Sequence, residues 1–520
     1  MRGRSSFSLT FLVSGLTVGL LWLAMFYGGG FWPLLSVACV PFLVYIFKTD
    51  QKQALLCALF TGLGHFLLQL YWIVFVLGHY GGLPLYMSVP ALLLLALYMT
   101  GYVLLFVPVA RLFVRCFSPT VCLFLLPALW VGLDYLRSVL FSGFPWMDLG
   151  YGLAEVPLLY QSADIWGIAG LSFLVLLMNS FFALCFTRGI SWGSRFRLAC
   201  PLCLICLVTG FYSGWRWENM ERRVRNAESI SVGIVQGNVD QGQKWSASRL
   251  GRTVQDYVEQ SRKLMILQGK LRPDLLVWPE TSMPFFPVNH PFLPPIERML
   301  QTEKVMLLAG APWVERDAGK AGKPRYYNSA VFFDENGTVV GRSSKSHLVP
   351  FGEYVPFKKY LPFIAPLVEA VGDFSRGEIH NPPACKTARI GVLICFESIF
   401  GDISRKWVDA GANLLVNITN DAWYGNSVAP YQTLAMTRLR AVETRRSVVR
   451  SANTGFSCFI DPMGRVSKLS PLFVNWEAAE RVAVMEERTL YVRGGYLFGP
   501  ACLLLSGLAL LVSGILRKQN

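Results

Sequence analysis

The stretch GVLICFES, residues 391–398, joins an apolar run to a thiol and a carboxylate. Val392, Leu393 and Ile394 favour extended backbone, and three apolar residues in succession suit a strand buried on both faces. The run ends at Cys395, with Glu397 two places on. A thiol at that point fits three roles: a core residue, half of a disulfide, or a nucleophile.

Similar runs recur on either side. They are ISVGIVQ (230–236), DLLVWPE (274–280), KVMLLAGAP (304–312), NSAVFFD (328–334), TVVGRSS (338–344), NLLVNIT (413–419), SVVRSAN (447–453) and GFSCFID (455–461). The turn signals DENG (334–337) and DPMG (461–464) read as hairpins. Helical spacing predicts one helix over 249–265 and another from about Tyr431 to the ETRRSVV stretch. Strands that are apolar throughout and interleaved with helices predict an α/β domain whose sheet is covered on both faces. No internal repeat or low-complexity tract is visible.

The rest of the chain is different. Of 520 residues 53% are hydrophobic and 16% charged, too apolar a balance for an ordinary soluble enzyme. A membrane crossing needs roughly 20 apolar residues. Eight stretches qualify as spans: 7–27, 31–47, 54–78, 86–110, 119–136, 166–187, 196–213 and 495–516. The first follows Arg2 and Arg4 as a signal peptide would, but no small-residue cleavage site follows it and more spans come at once. The expected organisation is an α-helical transmembrane bundle of about eight spans with an α/β domain inserted. The membrane domain covers 1–220 with seven spans, the α/β domain 221–490, and the last span lies in 491–520.

Every second loop is basic. Arg2 and Arg4 precede the first span, Lys48 and Lys52 follow the second, and Arg111 and Arg115 the fourth. Arg188, Arg195 and Arg197 follow the sixth, and Arg517 and Lys518 the last. The loops at 28–30 and 79–85 carry no Lys or Arg. Basic short loops stay cytoplasmic, so both termini are expected inside and the large domain outside. The formal net charge of +15 partly reflects these anchors, and the remainder suits anionic lipid. Nothing in the pattern suggests nucleic acid.

Twelve cysteines divide by place. Nine lie in or beside spans. Cys200, Cys203 and Cys206 have metal-like spacing, but they sit in an apolar run without a nearby His and read as small packing residues. Cys385, Cys395 and Cys458 remain in the domain. An odd number in an oxidising compartment leaves at least one free thiol, and a Cys385–Cys458 pair would spare Cys395.

Three strand ends carry chemistry. DLLVWPE ends in Glu280, RIGVLIC (389–395) ends in Cys395, and GRSSKSHLVPFGEYVP places Lys345 just past a strand with Glu353 eight residues on. A thiol to attack a carbonyl, a carboxylate to take its proton and an ammonium to hold the oxyanion are the parts of a covalent acyl-transfer site. Each residue taken alone has a plainer reading: Glu280 as the cap of a helix starting at Thr281 or Ser282, Lys345 as a solvated charge, Cys395 as a core thiol, Glu353 and Glu397 as partners of Arg or Lys. Of the domain's three histidines only His347 lies near these motifs.

The motifs VWPE, SKSHLVPFGEYVP, GVLICFES and NITNDAWYG resemble the nitrilase superfamily. With spans on both sides, nearly the whole chain resembles its membrane-embedded branch, the apolipoprotein N-acyltransferase family. The resemblance implies an αββα sandwich and a Glu-Lys-Cys triad of Glu280 as base, Lys345 and the nucleophile Cys395. It also implies roles for Glu353 and Glu397, and for Trp245 and Trp423 on loops near the site. Two positions depart from the family pattern: Phe396 stands where many members have tyrosine, and Asp134 where glutamate is frequent. The implied reaction moves an acyl chain from a membrane phospholipid to the N-terminal amine of a diacylated lipoprotein, with the Phe396 backbone N–H helping to hold the oxyanion. No cofactor or metal is expected, and a monomer is. The loop holding Phe144, Trp146 and Tyr151 is expected either to anchor at the membrane interface or to help admit lipid. The apolar loops 285–295 and 360–372 are expected either to act as lids over lipid or to be structural. The alternative reading is a membrane-tethered nitrilase-type amidohydrolase that hands its acyl group to water.

Overall fold

The computed structural model describes residues 2–26, 31–187, 191–242, 244, 246–267, 269–316, 324–355 and 373–519. They fall into two compact units: 1–78, 83–218 and 493–520 form one, and 79–82 with 219–492 the other.

The first unit is helical. Among the described residues seven helices are long and apolar enough to cross a membrane: Phe7–Met25, Gln51–Leu70, Leu85–Cys116, Pro119–Ser142, Ala163–Thr187, Trp192–Asn226 and Gly495–Arg517. Side chains close some of the exposed ends. Asp50 accepts from the Gln53 N–H at 2.9 Å and Ser118 from that of Val121 at 3.4 Å, each taking one of the donors a helix start leaves unpaired. The expected span at 31–47 is instead a shorter apolar segment, Trp32–Lys48, broken into a 3₁₀ turn (Trp32–Ser36) and a helix (Val40–Lys48). Pro33 and Pro41 sit where each piece begins, and proline cannot continue an existing helix. The break exposes backbone groups, and Asn179 satisfies them: its Nδ2 donates to the Leu35 carbonyl at 2.7 Å and its Oδ1 accepts from Cys39 N–H at 2.8 Å. An irregular backbone at membrane depth needs such a partner.

Two charge clusters inside this unit are ion-paired. Arg137 binds Asp134 at 3.1 Å and also Asp148, and donates to the Trp146 carbonyl. Arg216 binds Asp164 at 2.5 Å, and the Tyr212 hydroxyl donates to the same carboxylate. An intramembrane charge is costly without such a partner. The aromatic loop departs from expectation. Trp146 is completely buried against Trp72 and Phe144, and Tyr151 is buried as well. They are core residues of the bundle rather than interface anchors, because the loop folds inward as 3₁₀ turns at Leu149–Leu153 and Pro157–Tyr160. Cys200, Cys203 and Cys206 are exposed on their helix and not packed within the unit.

Among its described residues the second unit holds twelve strands: β1 Ser229–Gln236, β2 Leu275–Val277, β3 Met306–Glu315, β4 Arg325–Phe333, β5 Val339–Ser344, β6 Ala384–Cys385, β7 Ala388–Ile394, β8 Leu414–Thr419, β9 Val448–Ala452, β10 Cys458–Ile460, β11 Val466–Ser467 and β12 Trp476–Ala483. They form two six-stranded sheets, ordered β12-β1-β2-β3-β4-β5 and β11-β10-β9-β8-β7-β6. Followed from β12 and from β6, both sheets show one pairing sequence: antiparallel, parallel, parallel, antiparallel, antiparallel. The topology is duplicated although the sequence shows no repeat. The sheets face each other, β1 against β9 and β4 against β7, and Ser451 Oγ bridges to the Val277 carbonyl.

Helices cover the outer faces. Ala247–Leu267 places Val254, Tyr257, Val258, Leu264 and Met265 on one stripe at helical spacing, and Pro294–Glu303 adds Ile296, Met299 and Leu300. Both pack on β-strand residues such as Leu276, Leu307 and Val331. Gly401–Asp409 and Ala429–Thr444 pack against β7 and β9 of the other sheet. The result is the αββα sandwich. Cys385 on β6 and Cys458 on β10 lie four strand spacings apart in one sheet, about 19 Å. That is far beyond the reach of a disulfide, and both are free thiols.

Candidate active site

Glu280, Lys345 and Cys395 leave three different strands and reach one site. β2 ends at Val277, and Trp278 N–H still bonds the Leu308 carbonyl at 2.8 Å. The chain then turns without forming a helix, so Glu280 is not a helix cap. The turn lies tight on β3. A Cβ at Gly310 would sit 2.4 Å from Thr281 N and 2.6 Å from the Glu280 Cα, so only glycine admits the backbone that presents the carboxylate. Lys345 follows β5 directly, its N–H bonded to the Asn328 carbonyl. Cys395 follows β7 with φ at +54°, a conformation rare for a residue with a side chain. Holding it there costs of order 1–3 kcal/mol, a strain that clusters at functional positions.

Two further carboxylates fix these groups. Glu353 takes Lys345 Nζ at 3.0 and 2.9 Å on its two oxygens, and accepts from the Val349 N–H. Asn328 Nδ2 lies between Glu280 Oε1 (2.7 Å) and Glu353 Oε1 (2.9 Å). Lys345 Nζ is 3.9 Å from Glu280. Glu397 accepts from Ser346 N–H, Ser346 Oγ and His347 N–H on one oxygen and from Ile394 N–H on the other. It ties the lysine segment to the end of the cysteine strand. The plainer reading of Lys345 as a solvated charge fails, since it is 1% exposed.

Polarity is unevenly met within the site. Glu280 Oε2 is buried and has no hydrogen-bond partner among the described residues. A buried carboxylate oxygen left open is unfavourable unless it has work to do. The Cys395 thiol is pushed up to about 12, first by burial and then by the Glu280 charge; Lys345 and the Thr419 hydroxyl act against this. The residue as a whole keeps partial exposure, unlike Glu280, Lys345 and Glu353. Burial alone would lower the affinity of Lys345 for its proton, but Glu353, Cys395 and Glu280 together raise it, so the ammonium is secure. The arrangement is a protonated thiol, an open carboxylate and a fixed cation, which suits deprotonation on demand and oxyanion stabilisation.

His347 Nε2 is also buried without a partner among the described residues, and its ring lies 4.0 Å from that of Phe400. Burial first, then Arg376 and Lys345, push it down to about 4. In the unfolded chain it titrates near 6.5. Its contribution to stability is therefore complete above pH 6.5 and lost as pH falls toward 4, by at most about 3 kcal/mol. We expect His347→Phe to narrow the melting-temperature difference between pH 7.5 and 4.5 relative to wild type.

The other expected residues fall out as follows. Phe396 packs on Phe400 at 5.2 Å. Trp423, on the short Asp421–Tyr424 turn after β8, meets the Tyr80 ring at 4.9 Å, and the Tyr80 hydroxyl donates to the Ala422 carbonyl. Trp245 and the loop 360–372 lie outside the described residues. The loop 285–295 is partly folded in: Phe285 and Leu293 join the core, while Val288 is exposed. Sequence reasoning missed Asn328 and Lys244. Asn328 sits in an apolar strand pattern that gives no sign of it. Among the described residues no group of three or more His, Cys, Asp or Glu is placed to hold a metal ion.

Comparison with known sequences agrees with this geometry. The family model for the apolipoprotein N-acyltransferase N-terminal domain matches residues 18–181, and that for carbon-nitrogen hydrolases matches 231–474. An apolipoprotein N-acyltransferase of Geobacter metallireducens is 38% identical over 510 residues, covering 96% of this chain and 94% of its own. The chain belongs to the apolipoprotein N-acyltransferase family. Other family members are similar over most of their length: that of Methylococcus capsulatus is 33% identical, with 84% of this chain and 83% of its own covered. That of Haemophilus influenzae is 29% identical, with 98% and 96% covered. As a member of the family it is a membrane acyltransferase with a carbon-nitrogen hydrolase domain of the nitrilase superfamily.

Proposed function

We propose that this enzyme transfers an acyl chain from a membrane phospholipid to the N-terminal α-amine of a diacylglyceryl-cysteine lipoprotein, through a thioester on Cys395. The observation that carries this is the open, buried Glu280 Oε2 in a site that also holds Lys345 and Cys395. In the first half-reaction the thiol proton passes to Glu280. The sulfur bonds to the ester carbonyl carbon, and the oxyanion is met by Lys345 and the Phe396 backbone N–H. Collapse breaks the ester C–O bond, and the lysophospholipid alkoxide takes the proton back from Glu280. In the second half the amine bonds to the thioester carbon and gives Glu280 a proton. The C–S bond breaks and the sulfur recovers that proton. Glu353 and Glu397 hold Lys345 and the cysteine turn in register, and Trp245 and Trp423 contact substrate.

The catalytic domain is assigned to 221–490, outside the bacterial inner membrane, with both termini in the cytoplasm. The alternation of basic loops supports this, with Trp32–Lys48 counted as a crossing. The enzyme works as a monomer and without a cofactor.

The test is incubation of the purified full chain with acyl-labelled phospholipid in detergent. A hydroxylamine-labile label on Cys395 that persists in water and is discharged by a diacylglyceryl-cysteine peptide is the expected result. A label lost to water without the amine would favour the amidohydrolase, and no label at all would overturn covalent catalysis.

A further inference from the structure

Lys244 stands in the segment after β1 and is 1% exposed. Its Nζ donates to the Glu280 backbone carbonyl at 3.0 Å. Among the described residues this neutral oxygen is its hydrogen-bond partner, and no carboxylate lies within ion-pair distance. Lys345 differs, because its charge is matched directly by Glu353. An ammonium so deeply buried without an ion pair is costly, and such groups concentrate where a charge develops during reaction.

The charges around the nucleophile indicate which one. Cys395 faces Glu280, Lys345, Asp421 and the Thr419 hydroxyl, with Tyr424 and Lys244 within electrostatic reach. Asp421 is neutralised by Arg450 at 2.8 Å. With the thiol protonated, Lys345 lies against both Glu353 and Glu280, and Lys244 is a second cation with no carboxylate at ion-pair distance among the described residues. Once the proton has moved, Glu280 is neutral and the negative charge is on sulfur. We propose that Lys244 is a positioning residue for the nucleophile: anchored on the Glu280 carbonyl, its ammonium is the free cation that stabilises the Cys395 thiolate after Glu280 takes the proton. Burial pushes Lys244 down to about 8, with Glu280 and Cys395 opposing it, so the cation is present at neutral pH and disappears in mildly alkaline solution. The role deepens the proposed thioester mechanism and rests on Cys395 being its nucleophile.

The test follows the rate of Cys395 alkylation by iodoacetamide in the full chain at pH 7, where Lys244 is charged, read by mass spectrometry on the peptide containing Cys395. Lys244→Met is expected to slow alkylation about tenfold or more, and Lys244→Arg to keep it near the wild-type rate. A Lys244→Met rate equal to that of wild type overturns the proposal. If Lys244→Met fails to fold, Lys244→Gln decides, since it keeps a neutral donor: a slowed rate supports the role and an unchanged one overturns it. Absence of a phospholipid-derived label on wild-type Cys395 would instead overturn the parent mechanism, and the alkylation rate does not depend on that label.

Discussion

Lys345→Met is expected to abolish acyl labelling of Cys395 and to lower the melting temperature together. The ammonium sits between two buried carboxylates, at 2.9 Å from Glu353 and 3.9 Å from Glu280. Asn328 already touches both and has one Nδ2 to share. Removing the cation leaves Glu280 and Glu353 to repel each other out of water, a loss of about 3–5 kcal/mol for a broken buried pair. One carboxyl escapes this by taking a proton, which also removes a competent base from the site. Loss of an oxyanion donor costs a further 10²–10³ in rate, roughly. Lys345→Arg is not expected to rescue, since a planar guanidinium does not fit a site that leaves lysine 1% exposed. Label formation and thermal melting measure both effects, and a variant that labels at the wild-type rate would remove Lys345 from the mechanism.

Glu280→Gln should separate chemistry from folding. Glutamine keeps an oxygen for Asn328 and changes only the open position, where a donor replaces an acceptor of protons. Acylation should fall by about 10²–10⁴, the usual worth of a general base. The thiol itself should move the other way. The Glu280 charge is one cause that raises Cys395, so its removal makes the sulfur easier to ionise and brings the alkylation midpoint to lower pH. Slower acyl transfer on a more readily ionised thiol is a pair of results that a damaged fold does not give. An unchanged midpoint would mean that Glu280 does not face the sulfur.

Particular residues explain what could be foreseen. The strand ends were legible because β2 and β7 are buried apolar runs in parallel pairs that stop just short of a charged or reactive side chain, while β5, an antiparallel edge strand reading VVGRSS, was marked by the turn signal DENG before it. β12 was not. Trp476–Ala483 carries Glu477, Glu480 and Arg481 and lies at a sheet edge, where one face meets water and the apolar signal halves. β6 and β11 are two residues long and exist by pairing with a neighbour. Trp146 misled because an aromatic in an apolar loop looks alike at an interface and in a core; packing against Trp72 decides it. The break at Trp32–Lys48 needed Asn179, 140 residues away from Cys39, to become visible. Lys244 lacked any motif of its own, since its meaning comes from a carbonyl on a different strand.

All twelve cysteines are free thiols, with Cys385 and Cys458 at opposite flanks of one sheet. No covalent staple holds the sandwich, and its stability comes from side-chain burial and hydrogen bonding. The domain can therefore reach its native form in a reducing milieu, with no need of oxidative folding catalysts, and dithiothreitol during purification should preserve the reactive thiol while leaving the architecture untouched.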